Sequence, residues 1–297
     1  MAWIDQKNLP EGYWGSITSS LVWCEEKYYW SKYIAEPVNT LTNFYIIGLS
    51  ALGAIHTIRL NMPLRFVLCY LGGAMIGIGS FAFHATLKYE AQMLDELPMI
   101  YTMAIYLYCV TETSPGYSKS KYGLALPLGL TALVAFVTVT YVYYNNPVFH
   151  QISYAIMQVW GTIQVVSLLN SKQAKLTKQQ RSEISHQLFV GSAIFVMAFV
   201  IWNIDNICCG WLRGLRQKVG YPAALLLEGH GWWHLGTGLG SYMVIAASQR
   251  LVMSVKEGSA DNFAFSYRLG IHPFVERLKP FKQNGSSVIN GKDQKVQ

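Results

Sequence analysis

Long apolar stretches separate the charged residues of this chain, and they constrain its fold more than any other feature. Only 13% of the 297 residues are charged, whereas about a quarter is usual in a soluble domain. A helix needs about 20 mostly apolar residues to cross a bilayer, and its backbone must form its hydrogen bonds within the segment. Each of seven stretches predicts a transmembrane helix: 37–58, 64–83, 97–111, 122–144, 148–169, 188–204 and 223–251.

The sequence therefore predicts an all-α membrane protein, a bundle of seven transmembrane helices. The spans divide the chain into a segment 1–36, a membrane domain 37–251 and a basic tail 252–297, whose end is expected to be disordered. Residues 1–36 lack the apolar run of a cleavable signal peptide. They are rich in Trp and Tyr, which favours an ordered segment at the membrane interface.

Lysine and arginine predict the orientation of the bundle. With seven spans, 16 of the 23 basic residues fall on the side of the C-terminus and seven on the side of the N-terminus. Positive residues accumulate in the cytoplasm, so we expect a luminal N-terminus and a cytosolic C-terminus. The basic charge is then explained by topology, and it gives no support for nucleic-acid binding.

Polar side chains gather at one end of four predicted helices. Because the spans alternate in direction, all four ends are expected at the luminal side. Ionisable groups are costly in a membrane, so their meeting there indicates a functional site. They are Ser80 and His84 at the end of the second span, Asp95 and Glu96 before the third, Asp205 after the sixth, and His230 and His234 in the seventh.

Three histidines from two helices suit tetrahedral zinc, which in catalytic sites keeps one position for water. His230 and His234 are four residues apart and share a helix face, and His84 would come from the second span. For the histidines near other span ends we expect ordinary hydrogen-bonded positions; they are His56, His150 and His186.

A carboxylate beside zinc takes the proton of the water that the metal activates. Asp95 is the best-placed acceptor by topology, with Glu96 and Asp205 as competitors. Ser80, one helical turn from His84, is expected to donate a hydrogen bond to a developing oxyanion.

Three of the five cysteines fall on the predicted luminal side, which is oxidising. A disulfide between Cys24 and either Cys208 or Cys209 is expected there. Cys69 and Cys109 lie inside spans and are expected to pack as small apolar residues.

Several motifs resemble those of the alkaline ceramidases, which are seven-helix intramembrane amidases of the endoplasmic reticulum and Golgi in a superfamily with the adiponectin receptors. The resemblance runs from about residue 12 to residue 248. It implies that His84, His230 and His234 bind zinc, that Asp95 handles the proton of water and that Ser80 assists the oxyanion. The motifs are "GYWG", "WCEE", "YIAEPVNTLTN", "HATLKYEAQMLDELPMIY", "WNIDN" and "HGWWHLGTGLGSY".

The resemblance implies hydrolysis of the amide of ceramide, dihydroceramide or phytoceramide to a sphingoid base and a fatty acid, in a cavity open sideways to lipid. It also implies a disulfide between Cys24 and Cys209. Alternatives are a receptor of the adiponectin-receptor type with structural zinc, and a related lipid esterase. A transporter is disfavoured because the polar groups lie at one end of the bundle and not near its middle.

The resemblance further implies a calcium site ahead of the first helix, from Trp23, Glu25 and Glu36. The chain departs from the family's pattern, with Val22 where an Asp is expected and Lys27 where an Asn is expected. Calcium takes several oxygen ligands, so we expect a weakened or absent site. Our hypothesis is that Lys27 takes the place of the cation and pairs with Glu25 or Glu36. The alternative is that Lys27 points into solvent and calcium still binds weakly.

Overall fold

The computed structural model describes residues 9–117 and 120–279. In these ranges the chain forms eight α-helices and one antiparallel pair of strands. The elements are α1 (Pro37–Arg59), α2 (Leu64–Thr86), α3 (Tyr89–Thr111), α4 (Ala125–Tyr144), α5 (Pro147–Asn170), α6 (Lys178–Ile207), α7 (Cys209–Val219), α8 (Gly229–Glu257), β1 (Phe263–Arg268) and β2 (His272–Arg277). The expected disorder at the end of the tail falls on residues 280–297, outside the described ranges.

Membrane-spanning character is clear for five helices of the described chain, which are long and apolar enough to cross a bilayer: α1, α2, α4, α5 and α6. Helices α3 and α8 are as long, with 23 and 29 residues, but they carry polar residues of the candidate site. The mainly helical architecture is confirmed, and the count of seven spans stays a prediction.

The helix ends follow local sequence signals. Pro37 stands in the first turn of α1, where its fixed φ suits a helix start and its missing N–H costs nothing. The Asn146 side chain caps α5 by accepting from the backbone N–H of Val148 at 3.0 Å. Helix α8 ends at Glu257 and is followed by Gly258, whose φ of +70° favours glycine.

Close helix packing depends on the glycine-rich stretches of α2 and α8. Helix α2 lies between α1 and α3, while α8 packs against α6 and α1. A Cβ atom at Gly240 in α8 would lie 2.6 Å from the carbonyl oxygen of Gly191 in α6. Such contacts let helix backbones approach closely in the absence of a hydrophobic driving force between them.

The N-terminal segment 9–36 is folded across one end of the bundle. The backbone N–H of Ala35 donates to the Ala85 carbonyl at 2.9 Å, and that of Glu36 donates to the His84 carbonyl at 3.0 Å. The start of α1 is therefore joined directly to the end of α2, and we call this the histidine end of the bundle.

Two helices differ from the sequence predictions. Helix α3 begins at Tyr89, well before the predicted residue 97, because its first turns bury polar side chains such as Gln92 and Glu96, which an apolar window does not detect. Helix α7, between α6 and α8, was not predicted, because its 11 residues are too few and too basic to resemble a span.

The C-terminal region also contains structure that the sequence did not predict. Helix α8 continues past residue 251 to Glu257, which forms an ion pair of 2.8 Å with Arg277 of β2. The β1–β2 hairpin packs against α8 and α1, and the hydroxyl of Tyr45 in α1 lies 2.9 Å from His272 Nε2. Part of the expected tail 252–297 is therefore a folded cover on the bundle.

Replacing Gly79 with alanine tests the close contact of α2 with α3. The added Cβ would lie 1.8 Å from the carbonyl oxygen of Leu94, and backbone cannot move aside as a side chain can. Overpacking of this kind costs about 1–3 kcal/mol or more. We expect a clear fall in the melting temperature of detergent-purified Gly79→Ala. Gly48→Ala in α1 is the control, because no atom lies within 4 Å of the added Cβ. Equal melting temperatures for the two variants would contradict this packing.

Candidate metal centre

Three buried histidines meet at the histidine end of the bundle. His84 lies in the last turn of α2, and His230 and His234 lie in the first two turns of α8. One ring nitrogen from each residue lies within 4.8 Å of the others. The ring centroids are separated by 4.8 to 4.9 Å. The structure thus brings together the three residues that the sequence predicted as metal ligands.

His84 is oriented by a carboxylate. Its Nδ1 lies 2.5 Å from Oε2 of Glu36, while its Nε2 is buried with no hydrogen-bond partner. We assign the ring proton to Nδ1, since a carboxylate accepts. The lone pair of Nε2 is then free, which is the state that a metal-binding histidine needs.

His234 is oriented by a hydroxyl from α1. Its Nδ1 lies 2.9 Å from Oγ1 of Thr42, and that hydroxyl also lies 2.9 Å from the Val38 carbonyl. The Thr42 proton goes to the carbonyl, so the oxygen accepts from His234 Nδ1. The Nε2 atom is left facing Ser80, whose Oγ is 3.5 Å away.

His230 packs against an aromatic ring of the N-terminal segment. The centroids of its ring and of the Trp23 ring are 4.5 Å apart. Its Nδ1 is buried and has no hydrogen-bond partner. Two of the three histidines therefore carry a buried ring nitrogen with no protein partner, which is costly unless another group binds there.

Asp95 reaches the centre from α3. The contact of Gly79 with the Leu94 backbone brings this helix close to α2, and the Asp95 carboxylate lies near the Ser80 hydroxyl. Asp95 is half-buried and Ser80 is buried. Ser80 therefore lies between a carboxylate on one side and His234 on the other.

The other candidate proton acceptors are held elsewhere. Glu96 accepts hydrogen bonds from the hydroxyl of Tyr141 and the side-chain amide of Gln92. Asp205 Oδ1 accepts from Nη2 of Arg216 at 2.9 Å and from the backbone N–H of Gly229 at 3.2 Å. These two carboxylates link helices, and Asp95 is the acid that the structure places beside Ser80.

A buried ammonium lies among the residues predicted to bind calcium. Lys27 Nζ donates to the carbonyl oxygens of Trp23 at 2.6 Å and Glu25 at 2.5 Å, and it forms an ion pair with Oε1 of Glu36. The Glu25 carboxylate instead accepts from the backbone N–H groups of Val38 and Asn39 at the start of α1. Of the two pairings that the sequence left open, the structure has the one with Glu36.

Burial and neighbouring charges shift the pKa values of Glu36 and Glu25 in opposite directions. Burial alone would raise the pKa of Glu36, but Lys27 and His84 outweigh burial and hold that pKa well below its usual range. Burial, followed by the negative charge of Glu36, raises the pKa of Glu25 to about 8.

A disulfide joins the N-terminal segment to α7. Cys24 and Cys209 are bonded, with a Cα–Cα distance of 5.5 Å, while Cys208 is an exposed free thiol. The Cys24 carbonyl also accepts from Nε of Arg213 at 2.8 Å and from Nη1 of Arg216 at 3.3 Å.

Sequence reasoning missed the contribution of α1 to the site. Polar residues that are fully buried recur at helical spacing at its start: Glu36, Asn39, Thr40 and Asn43. A polar face in an otherwise apolar span was the signal that could have indicated this role. The ion pairs of Arg216 with Asp205 and Glu228 were also missed, because no spacing rule relates residues of α6, α7 and the loop before α8.

Comparison with known proteins agrees with the motifs. A model of the ceramidase family matches residues 15–276. Alkaline ceramidase 3 of Mus musculus is 37% identical over 80% of this chain and 85% of its own length. An alkaline ceramidase of Saccharomyces cerevisiae is 33% identical, covering 90% of this chain and 88% of its own. The Arabidopsis thaliana alkaline ceramidase is 26% identical over 91% and 97%. The chain belongs to the ceramidase family.

Proposed function

We propose that this chain is a zinc-dependent ceramidase that hydrolyses the amide bond of ceramides within a membrane, releasing a sphingoid base and a free fatty acid. The observation that carries the proposal is the meeting of three buried histidines beside the Ser80–Asp95 pair. The names of the relatives support ceramide as the substrate class.

The donor set suits zinc. His84 and His234 each direct one nitrogen to a carboxylate or hydroxyl and keep the other nitrogen for the centre, as zinc-binding histidines do. Three buried imidazole nitrogens favour zinc over calcium or magnesium, which prefer oxygen ligands. Zinc held by three histidines supplies Lewis acidity that lowers the pKa of a water to about 7.

Asp95 and Ser80 divide the remaining chemistry. A carboxylate oxygen of Asp95 accepts the proton of the attacking water and later gives it to the leaving amine. The Ser80 hydroxyl has one proton, and we assign it to the nearby Asp95 carboxylate while that carboxylate is charged, since a carboxylate accepts. When Asp95 is protonated, that hydroxyl is free to donate to the amide oxygen of the substrate.

Turnover of labelled lipid tests the function. We expect the purified protein to release fatty acid from at least one of ceramide, dihydroceramide and phytoceramide. Asp95→Asn should lower kcat by about 10²–10⁴-fold, because a general base is lost, and His230→Ala should abolish turnover together with bound zinc. His186→Ala, at an exposed position of α6, is the control and should retain both. Binding of ceramide without any release would instead favour the receptor alternative.

The proposed enzyme crosses the membrane seven times through α1–α6 and α8, with a luminal N-terminus and a cytosolic C-terminus. The distribution of basic residues supports this orientation, and α7 with its disulfide then lies on the oxidising side. An endoplasmic reticulum or Golgi membrane fits this arrangement.

Glycosylation tests the orientation. Asn284 is the sole Asn-x-Ser/Thr acceptor in the sequence, and the proposed topology puts it in the cytosol. We expect no shift in electrophoretic mobility on glycosidase treatment. A glycan on Asn284 would show that the C-terminus is luminal and would contradict the proposed orientation.

Calcium is proposed to have no essential role. The oxygens of Trp23, Glu25 and Glu36 that would bind it already surround the Lys27 ammonium, and a second cation among them would be repelled. A calcium titration at constant buffered free zinc should leave wild-type activity unchanged. Lys27→Asn removes the ammonium and should make activity rise with calcium. A strong calcium requirement in the wild type would contradict this proposal.

A further inference from the structure

Three buried ionisable groups stand in line from the N-terminal segment to the metal centre: Lys27, Glu36 and His84. We propose that Lys27 is a positioning residue for the centre: its ammonium fixes the Glu36 carboxylate, which in turn fixes the ring of His84 for metal binding. This inference rests on the proposed zinc site and concerns how the chain prepares it.

The two oxygens of Glu36 serve different partners. Oε1 receives Lys27 Nζ and, at 3.3 Å, the backbone N–H of Trp23. Oε2 receives His84 Nδ1 at 2.5 Å and Nδ2 of Asn39 at 3.1 Å. Rotation of the carboxylate would break contacts on both sides. Its plane, and with it the direction of the His84 ring, therefore depends on the cation bound at Oε1.

Lys27 is itself held on every side. Its side chain is 1% exposed, and its three N–H groups match the two carbonyl oxygens and the carboxylate around it. Cys24, between the two residues that supply these carbonyls, is fixed by the disulfide to Cys209. The ammonium thus acts as a fixed charge in a rigid frame.

Removal of the ammonium has a predictable consequence. A buried carboxylate without its cation is strongly unfavourable, so Glu36 would turn toward other donors and release His84 Nδ1. Partners that orient metal-binding histidines typically contribute 10–100-fold to metal affinity. The proposal requires the effect of Lys27 to reach the metal through Glu36 and not through Trp23, whose carbonyl Lys27 also contacts and whose ring packs on His230.

A double-mutant cycle on zinc affinity tests the route. Full-length Lys27→Met, Glu36→Gln and the double variant are purified in detergent, and zinc affinity of the monodisperse fraction is measured by competition with a chromophoric chelator. We expect each single variant to bind zinc about 10–100-fold more weakly. The double variant should bind no more weakly than Glu36→Gln if Lys27 acts through Glu36, whereas an effect through the Trp23 carbonyl and the Trp23 ring on His230 would add to the loss.

Lys88→Met is the matched control. Lys88 also lies at the histidine end and also ties the N-terminal segment, donating to the Ser16 carbonyl at 2.6 Å, but it does not contact Glu36. We expect it to retain wild-type zinc affinity. Lys27→Gln, which keeps an N–H donor near the Trp23 carbonyl while removing the charge, replaces Lys27→Met if the latter does not fold.

The outcomes separate the claims. Zinc affinity of the Lys27 variant equal to that of Lys88→Met, or additive losses in the double variant, would overturn the positioning role and leave the zinc site intact. Absence of zinc binding by the wild type and Lys88→Met alike would overturn the zinc proposal, and the positioning role with it.

Discussion

Charge buried at the histidine end of the bundle is the constraint on which this structure depends. A polar group that is removed from water must find a partner within the protein, because burying it unpaired costs several kcal/mol of folding free energy. At the histidine end several buried ionisable groups have such partners: Lys27 pairs with Glu36, Arg216 with Asp205 and Glu228, and Glu96 with Tyr141. One ring nitrogen of His84 and one of His230 are buried there without a hydrogen-bond partner, and the three histidines lie close enough together to share one metal ion.

The fold supplies this arrangement through a few rigid junctions. Backbone hydrogen bonds join the start of α1 to the end of α2, so the backbone alone places Glu36 beside His84. The absence of a side chain at Gly79 lets α3 bring Asp95 to Ser80. The disulfide and the arginines of α7 hold the segment that carries Lys27. The candidate site thus lies where four helix ends and the N-terminal segment meet, and buried polar residues at the other end of α8, such as Arg250 and Lys256, have partners of their own there.

Much of this was predictable from the sequence because helices in lipid leave a strong apolar signal and alternate in direction. Those two facts were enough to bring Ser80, His84, Asp95, His230 and His234 to one end, and the family resemblance was confirmed. The partners that orient the histidines were not predicted. Thr42 and His234 are 192 residues apart, and no local pattern relates them. Lys27 was expected to pair with one of two glutamates, and the choice depended on the start of α1, whose backbone N–H groups take the Glu25 carboxylate. The hairpin was missed because six-residue strands give a weak signal beside spans of more than 20 residues.

X-ray diffraction from crystals of the purified protein, recorded on both sides of the zinc absorption edge, tests the central claim most directly. The account predicts one anomalous peak, at a zinc ion bound by Nε2 of His84 and by the rings of His230 and His234. Glu36 should lie on the far side of the His84 ring. No peak at that position in protein that hydrolyses ceramide, or a zinc ion bound elsewhere, would contradict it.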